Sequence, residues 1–335
     1  MSELTVKDVF DIATKVATER KSDKLYVPIR LPREDFTRAW VKDRKAFTDY
    51  IDQIITSLNP INGLHVLMES GFFGAVLPEF EFIKNLGDAD GLHKDVWQHT
   101  LHVINNAPNT LELRWSALCH DIGKAKTRKI NRGRVTFHNH DIVGYHMVSN
   151  MDDRSGLFIG RESLRKTVSI LVLNHLRPAQ LSKNLTESSC RRLLKDVEGI
   201  ENFRMLIALS RADTTTKHEH KRIKFKKATD ALELEVERVL TLDAMKKLPK
   251  YTMGKIIESF KVSDLKTHPN SAALYKAFEN IRNTLELDLN EGKINAGAAE
   301  EIVRVFFSDK RYEYLVCEVS SLCKRIEDSN QKVSV

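Results

Sequence analysis

Leu113-Arg-Trp-Ser-Ala-Leu-Cys-His-Asp-Ile-Gly-Lys124 is an apolar helical run that ends in a His-Asp doublet, with Gly123 and Lys124 directly behind it. The run predicts a buried helix. His120 and Asp121 then stand where that helix opens into a loop, so two neighbouring metal-ligating side chains are presented at the edge of a core. A further histidine, His99, precedes the doublet. His138, His140, His175 and Asp213 follow it. The rest of the chain is read outward from this order.

On the upstream side, Val6, Val9, Phe10, Ile12, Ala13 and Val16 form the apolar stripe of an amphipathic helix over residues 4–19. Lys24–Leu31 alternates and reads as extended. A second helix starts at Asp35 and continues, broken or not, to Asn59-Pro60, where a turn follows. A short helix over 64–70 stops at Gly71, and Ala75–Leu86 is helical with an interruption near Pro78. A helix carrying Val96, Trp97, His99, Val103 and Ile104 leads into the quoted run.

On the downstream side, Ile130, Val135 and Phe137 alternate around Asn131-Arg-Gly133, which predicts a small β-hairpin. A helix begins at His138-Asn-His140. Leu164–Leu176 is an apolar helix that Pro178 stops. Ser188–Val197 and Asn202–Asp213 are helical, and Lys217–Lys227 opens a long helix that continues through Val239. Helices are also expected from Tyr251, over Leu274–Leu289 and over Ala296–Phe307. The chain reads as all-α: a helical bundle with one hairpin, divided into an N-terminal neck-like segment (1–60), a central domain (61–230) and a C-terminal helical unit (231–335).

Imidazoles and carboxylates together suit divalent Mn, Fe, Co, Ni or Zn, and can also hold Mg. The candidate ligands are His99, His120, Asp121 and Asp213. Asp121 can bridge two ions, and His140 and His175 can complete a second site. One or two ions placed so would activate water and offset phosphoryl charge, the chemistry of phosphate-ester hydrolysis. Asp121 and Lys124 are the candidate catalytic residues, with Lys124 as a point charge for a substrate phosphate. Lys126, Arg128, Arg177 and Arg211 complete the candidate substrate-binding set. Taken singly, a His-Asp pair or a helix-end Asp is ordinary; the ordered combination carries the reading. Asp95 and Asp141 are candidate hydrogen-bond supports for the ligands.

The 335 residues carry a net charge of +7, gathered in Lys124–Arg134, Lys183–Lys195 and Lys217–Lys227. Such clusters favour nucleotide or RNA partners. The four cysteines form no Cys-x-x-Cys pair, which points to a reduced, cytoplasmic setting and no disulfide-linked partner. No signal pattern and no spanning apolar run are present, so no membrane partner is expected. The oligomeric state stays open.

At these residues the chain resembles the HD superfamily of metal-dependent phosphohydrolases. Residues about 60–225 resemble, more narrowly, the HD region of bacterial tRNA nucleotidyltransferases (the CCA-adding and poly(A) polymerase family). The matching stretches are 77–80, 93–101, 114–127, 135–144, 174–178 and 210–213. The resemblance implies an all-helical HD domain, a divalent metal, and hydrolysis of phosphomonoesters or cyclic phosphodiesters such as a 2′,3′-cyclic phosphate. By motif position His99, His120, Asp121 and Asp213 take the metal roles. The nucleotidyltransferase head of that family is not expected here. Asp88-Ala-Asp90 has its Asp-x-Asp spacing but lies between glycines with no strand before it, and reads as a turn. The chain is therefore expected to be a neck, HD and tail standing alone. The rival expectation is a non-catalytic tRNA- or RNA-binding module that partners a separate nucleotidyltransferase.

Overall fold

The computed structural model describes residues 4–19, 29–84, 86, 95–132, 134–181, 185–216, 218–244, 271–295 and 297–299. The expectations for Lys24–Val27, Asp88–Asp90, the helix from Tyr251 and most of Ala296–Phe307 fall outside these residues. The chain divides into two compact units, Met1–Val239 and Leu240–Val335. The first holds all the candidate site residues.

Local chemistry sets the ends of its helices. α1 (Val6–Thr18) begins at a capping box, in which Thr5 and Asp8 bond each other's backbone N–H. The helical stretch expected over residues 35–59, broken or not, is broken into two, α2 (Arg33–Lys42) and α3 (Arg44–Ile55). Asp43 leaves the helical conformation, ends the first and accepts from Ala46 N to start the second. α4 (Pro60–Ser70) starts earlier than expected, because Pro60 occupies the first helical position, where its missing N–H costs nothing. Gly71, at φ 93°, ends it. The interruption expected at Pro78 separates α5 (Phe72–Val76) from α6 (Pro78–Lys84).

α7 (Val96–Asn106) and α8 (Leu111–Cys119) follow, capped by Asp95 and Thr110. Residues Leu113 to Cys119 are all buried, so α8 is enclosed on every side. Its Arg114 donates to Ile104 O at 2.7 Å, and Trp115 Nε1 donates to Asp52 at 2.7 Å. A short α9 (Lys124–Thr127) leads to the expected hairpin. β1 (Lys129–Asn131) and β2 (Arg134–Thr136) pair antiparallel with Ile130 opposite Val135.

Next come α10 (His140–Ser149), α11 (Met151–Arg154), α12 (Glu162–Asn174) and α13 (Arg177–Leu181). Pro178 does not stop α12, which has already ended; it sits in the first turn of α13, a position proline tolerates. α14 (Glu187–Asp196), α15 (Ile200–Asp213) and α16 (Glu219–Ala244) complete the series. In the second unit, α17 (Ser271–Asn290) carries Arg282 bridged to Glu279 and Glu286.

One hydrophobic core runs from α1 through α16 as far as Val239. α1 and α3 pack on α4, α4 on α7, and α3 on α8. α7, α8, α12 and α15 then meet around the end of α8, and α10 packs along α12. Trp40 Nε1 donates to Ser155 O at 2.7 Å, which ties the N-terminal helices to the loop before α12. The architecture is all-α with a single two-stranded hairpin among the described residues. Among those residues no helix is long and apolar enough to cross a membrane.

Candidate metal centre

Five helices deliver six side chains to one point. His99 comes from α7, His120 and Asp121 from the end of α8, His140 from the first turn of α10, His175 from the end of α12, and Asp213 from the end of α15. They fall into two triads, His99–His120–Asp213 and Asp121–His140–His175, each with its ligand atoms within 4.8 Å of one another. His120, Asp121 and His175 are 1%, 2% and 3% exposed, so the point is sealed on the core side.

The hydrogen bonds fix which ring nitrogens face inward. His120 Nδ1 lies 2.8 Å from Ala117 O, His140 Nδ1 2.8 Å from Phe137 O, and His175 Nδ1 2.7 Å from Val172 O. A carbonyl oxygen only accepts, so each Nδ1 carries the proton and each Nε2 turns toward the cluster. The three carbonyls thus hold the ligands, each three residues back along the chain. Asp95, expected as a support, instead accepts from Gln98 N at 2.9 Å as the cap of α7. Sequence reading missed the carbonyls, although the three-residue offset was available as a signal. It also missed Thr215, whose hydroxyl lies 3.0 Å from His99 Nδ1 and which carried no motif.

Nε2 of His99 and Nε2 of His120 lie 3.4 Å apart, and those of His140 and His175 lie 3.2 Å apart. Two imidazole nitrogens bound to one ion at roughly 2.1 Å stand about 3.0–3.4 Å apart, for right-angle and tetrahedral arrangements. The two pairs are therefore spaced as two ligands of one ion would be. Asp121 stands between the triads. Its Oδ2 is 3.2 Å from His120 Nε2 and its Oδ1 is 3.4 Å from His140 Nε2. Asp213 Oδ1 is 2.9 Å from His99 Nε2. The donor set therefore fits a divalent metal.

The charges are strongly coupled. Burial lowers the His120 pKa, but the Asp121 carboxylate outweighs it and raises the group to about 9. Burial would raise Asp121, yet His120, His140 and Lys124 hold it well below the usual carboxylate range. Asp213, opposed by burial and held by His99 and His120, falls to about 2. His175 is pushed down to about 4 by burial and by His120, so it stays neutral. Metal ligation by imidazole needs this neutral form.

The remaining candidates are placed differently. Lys124 Nζ bonds Asp121 Oδ2 at 2.6 Å and lies over the Phe137 ring, at the rim of the cluster. Lys126 and Arg128 are exposed just beyond it. Arg177 bonds Asn174 and pairs with Asp196. Arg211 pairs with Asp230 and Glu233 of α16. His138 is exposed and belongs to neither triad. Cys119 and Cys190 are free and buried.

Residues 96–216 match the HD domain family. The chain is 30% identical over 144 residues to an A-adding tRNA nucleotidyltransferase of Deinococcus radiodurans, covering 41% of this chain and 30% of that protein. It is 35% identical over 102 residues to a multifunctional CCA protein of Actinobacillus pleuropneumoniae, covering 28% and 23%. It is 32% identical over 108 residues to a CC-adding tRNA nucleotidyltransferase of Thermus thermophilus, covering 30% and 25%. The match thus spans less than a third of each of these relatives. Residues 96–216 thus match the HD domain, in a chain similar over part of its length to tRNA nucleotidyltransferases.

Proposed function

We propose that this protein is a metal-dependent phosphohydrolase that acts on a nucleotide or an RNA-end phosphate, with a 2′,3′-cyclic phosphate as the preferred ester. One observation carries the reading. The buried Asp121 offers one oxygen to each of two triads whose imidazole Nε2 atoms face inward. The names of the relatives, which act on tRNA, favour an RNA end over a free signalling nucleotide.

His99, His120, Asp121 and Asp213 would hold one ion, and Asp121, His140 and His175 a second. A divalent cation there supplies an acidified water and offsets charge on a phosphoryl oxygen. The chain's own groups do the rest. The Ala117, Phe137 and Val172 carbonyls keep three imidazoles in the ligating tautomer. Lys124, 2.6 Å from Asp121 at the rim of the cluster, meets a substrate phosphate as a point charge. Lys126 and Arg128, exposed shortly after Lys124 in the chain, add positive charge.

The test pairs metal content with a panel of free nucleotides, cyclic nucleotides and RNA ending in a 2′,3′-cyclic phosphate. Metal-loaded protein is expected to open the cyclic ester, and His120→Ala and Asp121→Ala to abolish turnover. Unchanged turnover in both variants refutes the reading. Salt-dependent RNA binding with neither bound metal nor turnover points to the binding-module rival instead.

A further inference from the structure

One wall of the metal centre opens outward. His99 faces Asp213 through Nε2, and its ring also lines a cleft between α7, the end of α15 and the first turns of α16. Thr215, the partner of His99 Nδ1, lines the same cleft. Farther from the metal centre the lining becomes cationic. Arg211, Lys221, Arg222 and Lys226 stand against only two carboxylates, Asp95 and Glu219.

These four cations are not equivalent. Arg211 pairs with both Asp230 and Glu233, so its charge is compensated, and Lys226 has an exposed pair with Asp230. Arg222 has only an exposed pair with Glu219, which is worth little. Lys221 has no carboxylate partner among the described residues. Between them the cleft shows Phe225 and a 47% exposed Ile223. Cation beside aromatic and apolar surface, repeated along a groove, is the arrangement that holds single-stranded nucleic acid through phosphates and stacked bases. Glu219 to Lys226 spans about 10 Å of helix, a longer run than a single nucleotide's phosphate requires.

We infer that this cleft binds the single strand that leads up to the scissile phosphate. Lys221 and Arg222 hold backbone phosphates, a base rests on Phe225 and Ile223, and the strand end passes His99 into the metal centre. The inference rests on the RNA-end reading, and it makes the protein select a polynucleotide end over a free nucleotide.

The experiment uses the full chain and two charge-matched double variants on one helix. Lys221→Glu with Arg222→Glu alters the cleft. Lys224→Glu with Lys227→Glu alters side chains of α16 outside its lining. Binding of a fluorescein-labelled hexauridylate 3′-phosphate is read by anisotropy in chelator over a salt series. The cleft pair is expected to weaken binding about ten-fold more than the control pair, and to lower the salt slope by about 1.4, for two single-strand phosphate contacts. In metal, the kcat/KM preference for a cyclic-phosphate-ended hexauridylate over 2′,3′-cyclic uridine monophosphate is expected to fall by a similar factor in the cleft pair. Equal losses in the two variants, or no loss in either, overturn the inference. Selective loss of binding in a protein that hydrolyses no ester refutes the hydrolase and leaves the cleft. Turnover with equal losses refutes the cleft and leaves the hydrolase.

Discussion

Gly123→Ala tests how the second triad is assembled. Gly123 has helical dihedrals, φ −67° and ψ −17°, so the backbone itself accepts alanine. The obstacle is space. A Cβ there would lie 2.0 Å from His140 O and 2.6 Å from Gly144 N, both backbone atoms of α10. An ordinary C···O contact is no shorter than about 3.3 Å, so α10 must retreat by about 1.3 Å. That helix carries His140, whose Nε2 lies 3.4 Å from Asp121 and 3.2 Å from His175. Metal–ligand distances tolerate only about 0.2 Å, so the second triad is expected to lose its ion. The overpacking should cost about 1–3 kcal/mol of stability. Turnover should fall on the order of a hundred-fold, as for an ångström-scale misplacement of a reacting group. Metal per folded chain, thermal unfolding and kcat on a cyclic-phosphate ester read the three effects. Gly144→Ala is the graded control. Its nearest neighbour is a Val172 methyl at 3.0 Å, a side chain able to yield, and the loss should be smaller. Gly123→Ala with unaltered metal content and rate would refute the argument that this close approach sets His140.

Three further outcomes follow from the electrostatics. Metal-free protein holds His120 at about 9, above its ordinary 6.5, so that stabilisation is complete below pH 6.5 and is lost as pH rises through 9. Asp213, depressed from 3.8 to about 2, stabilises above pH 3.8 and loses that as pH falls through 2. Chelator-treated protein should therefore melt at a lower temperature at about pH 9.5 than at about pH 6 in thermal scans; the reverse order contradicts the assigned charges. Since His120 must shed a proton to ligate, metal binding at about pH 7.5 should release about one proton more than at about pH 10.5, as calorimetry in buffers of different ionisation enthalpy would show. Arg211→Ala removes a partly exposed tie from α15 to Asp230 and Glu233, and should cost under about 1 kcal/mol with little change in KM. A raised KM at unchanged melting temperature would place Arg211 in the substrate-binding set.

The ends of elements were legible where one residue's chemistry decides them, as at Gly71 and at the break before Pro78. They were misread where the same residue type serves opposite ends. Proline stops a helix from within but begins one readily, so Pro60 and Pro178 were placed outside helices that they open. A break between residues 35 and 59 was open in the sequence, but its place at Asp43 was not legible, because a carboxylate in an amphipathic run reads equally well as an exposed helical residue. At the candidate metal centre, the fold gathers side chains that the sequence offered as candidate ligands, with His120 and Asp121 at the end of a buried helix. Which histidine meets which carboxylate could not be read, because that depends on how α7, α12 and α15 converge on α8 and how α10 packs along α12.

The same limit explains Gly123 and the lysines of α16. A glycine after a His-Asp doublet looks like loop chemistry, yet its necessity is a contact with a backbone seventeen positions later, which no local pattern encodes. The run His218–Lys227 reads as one block of positive charge. Wound at 3.6 residues per turn, a block cannot act as a unit, because successive side chains point about 100° apart. Lys221 and Arg222 line the cleft that reaches His99, whereas Lys224 and Lys227 do not. Composition sets the sign of the field around this helix; only the packing of α16 beside α7 and α15 decides which charges a strand entering the metal centre would meet.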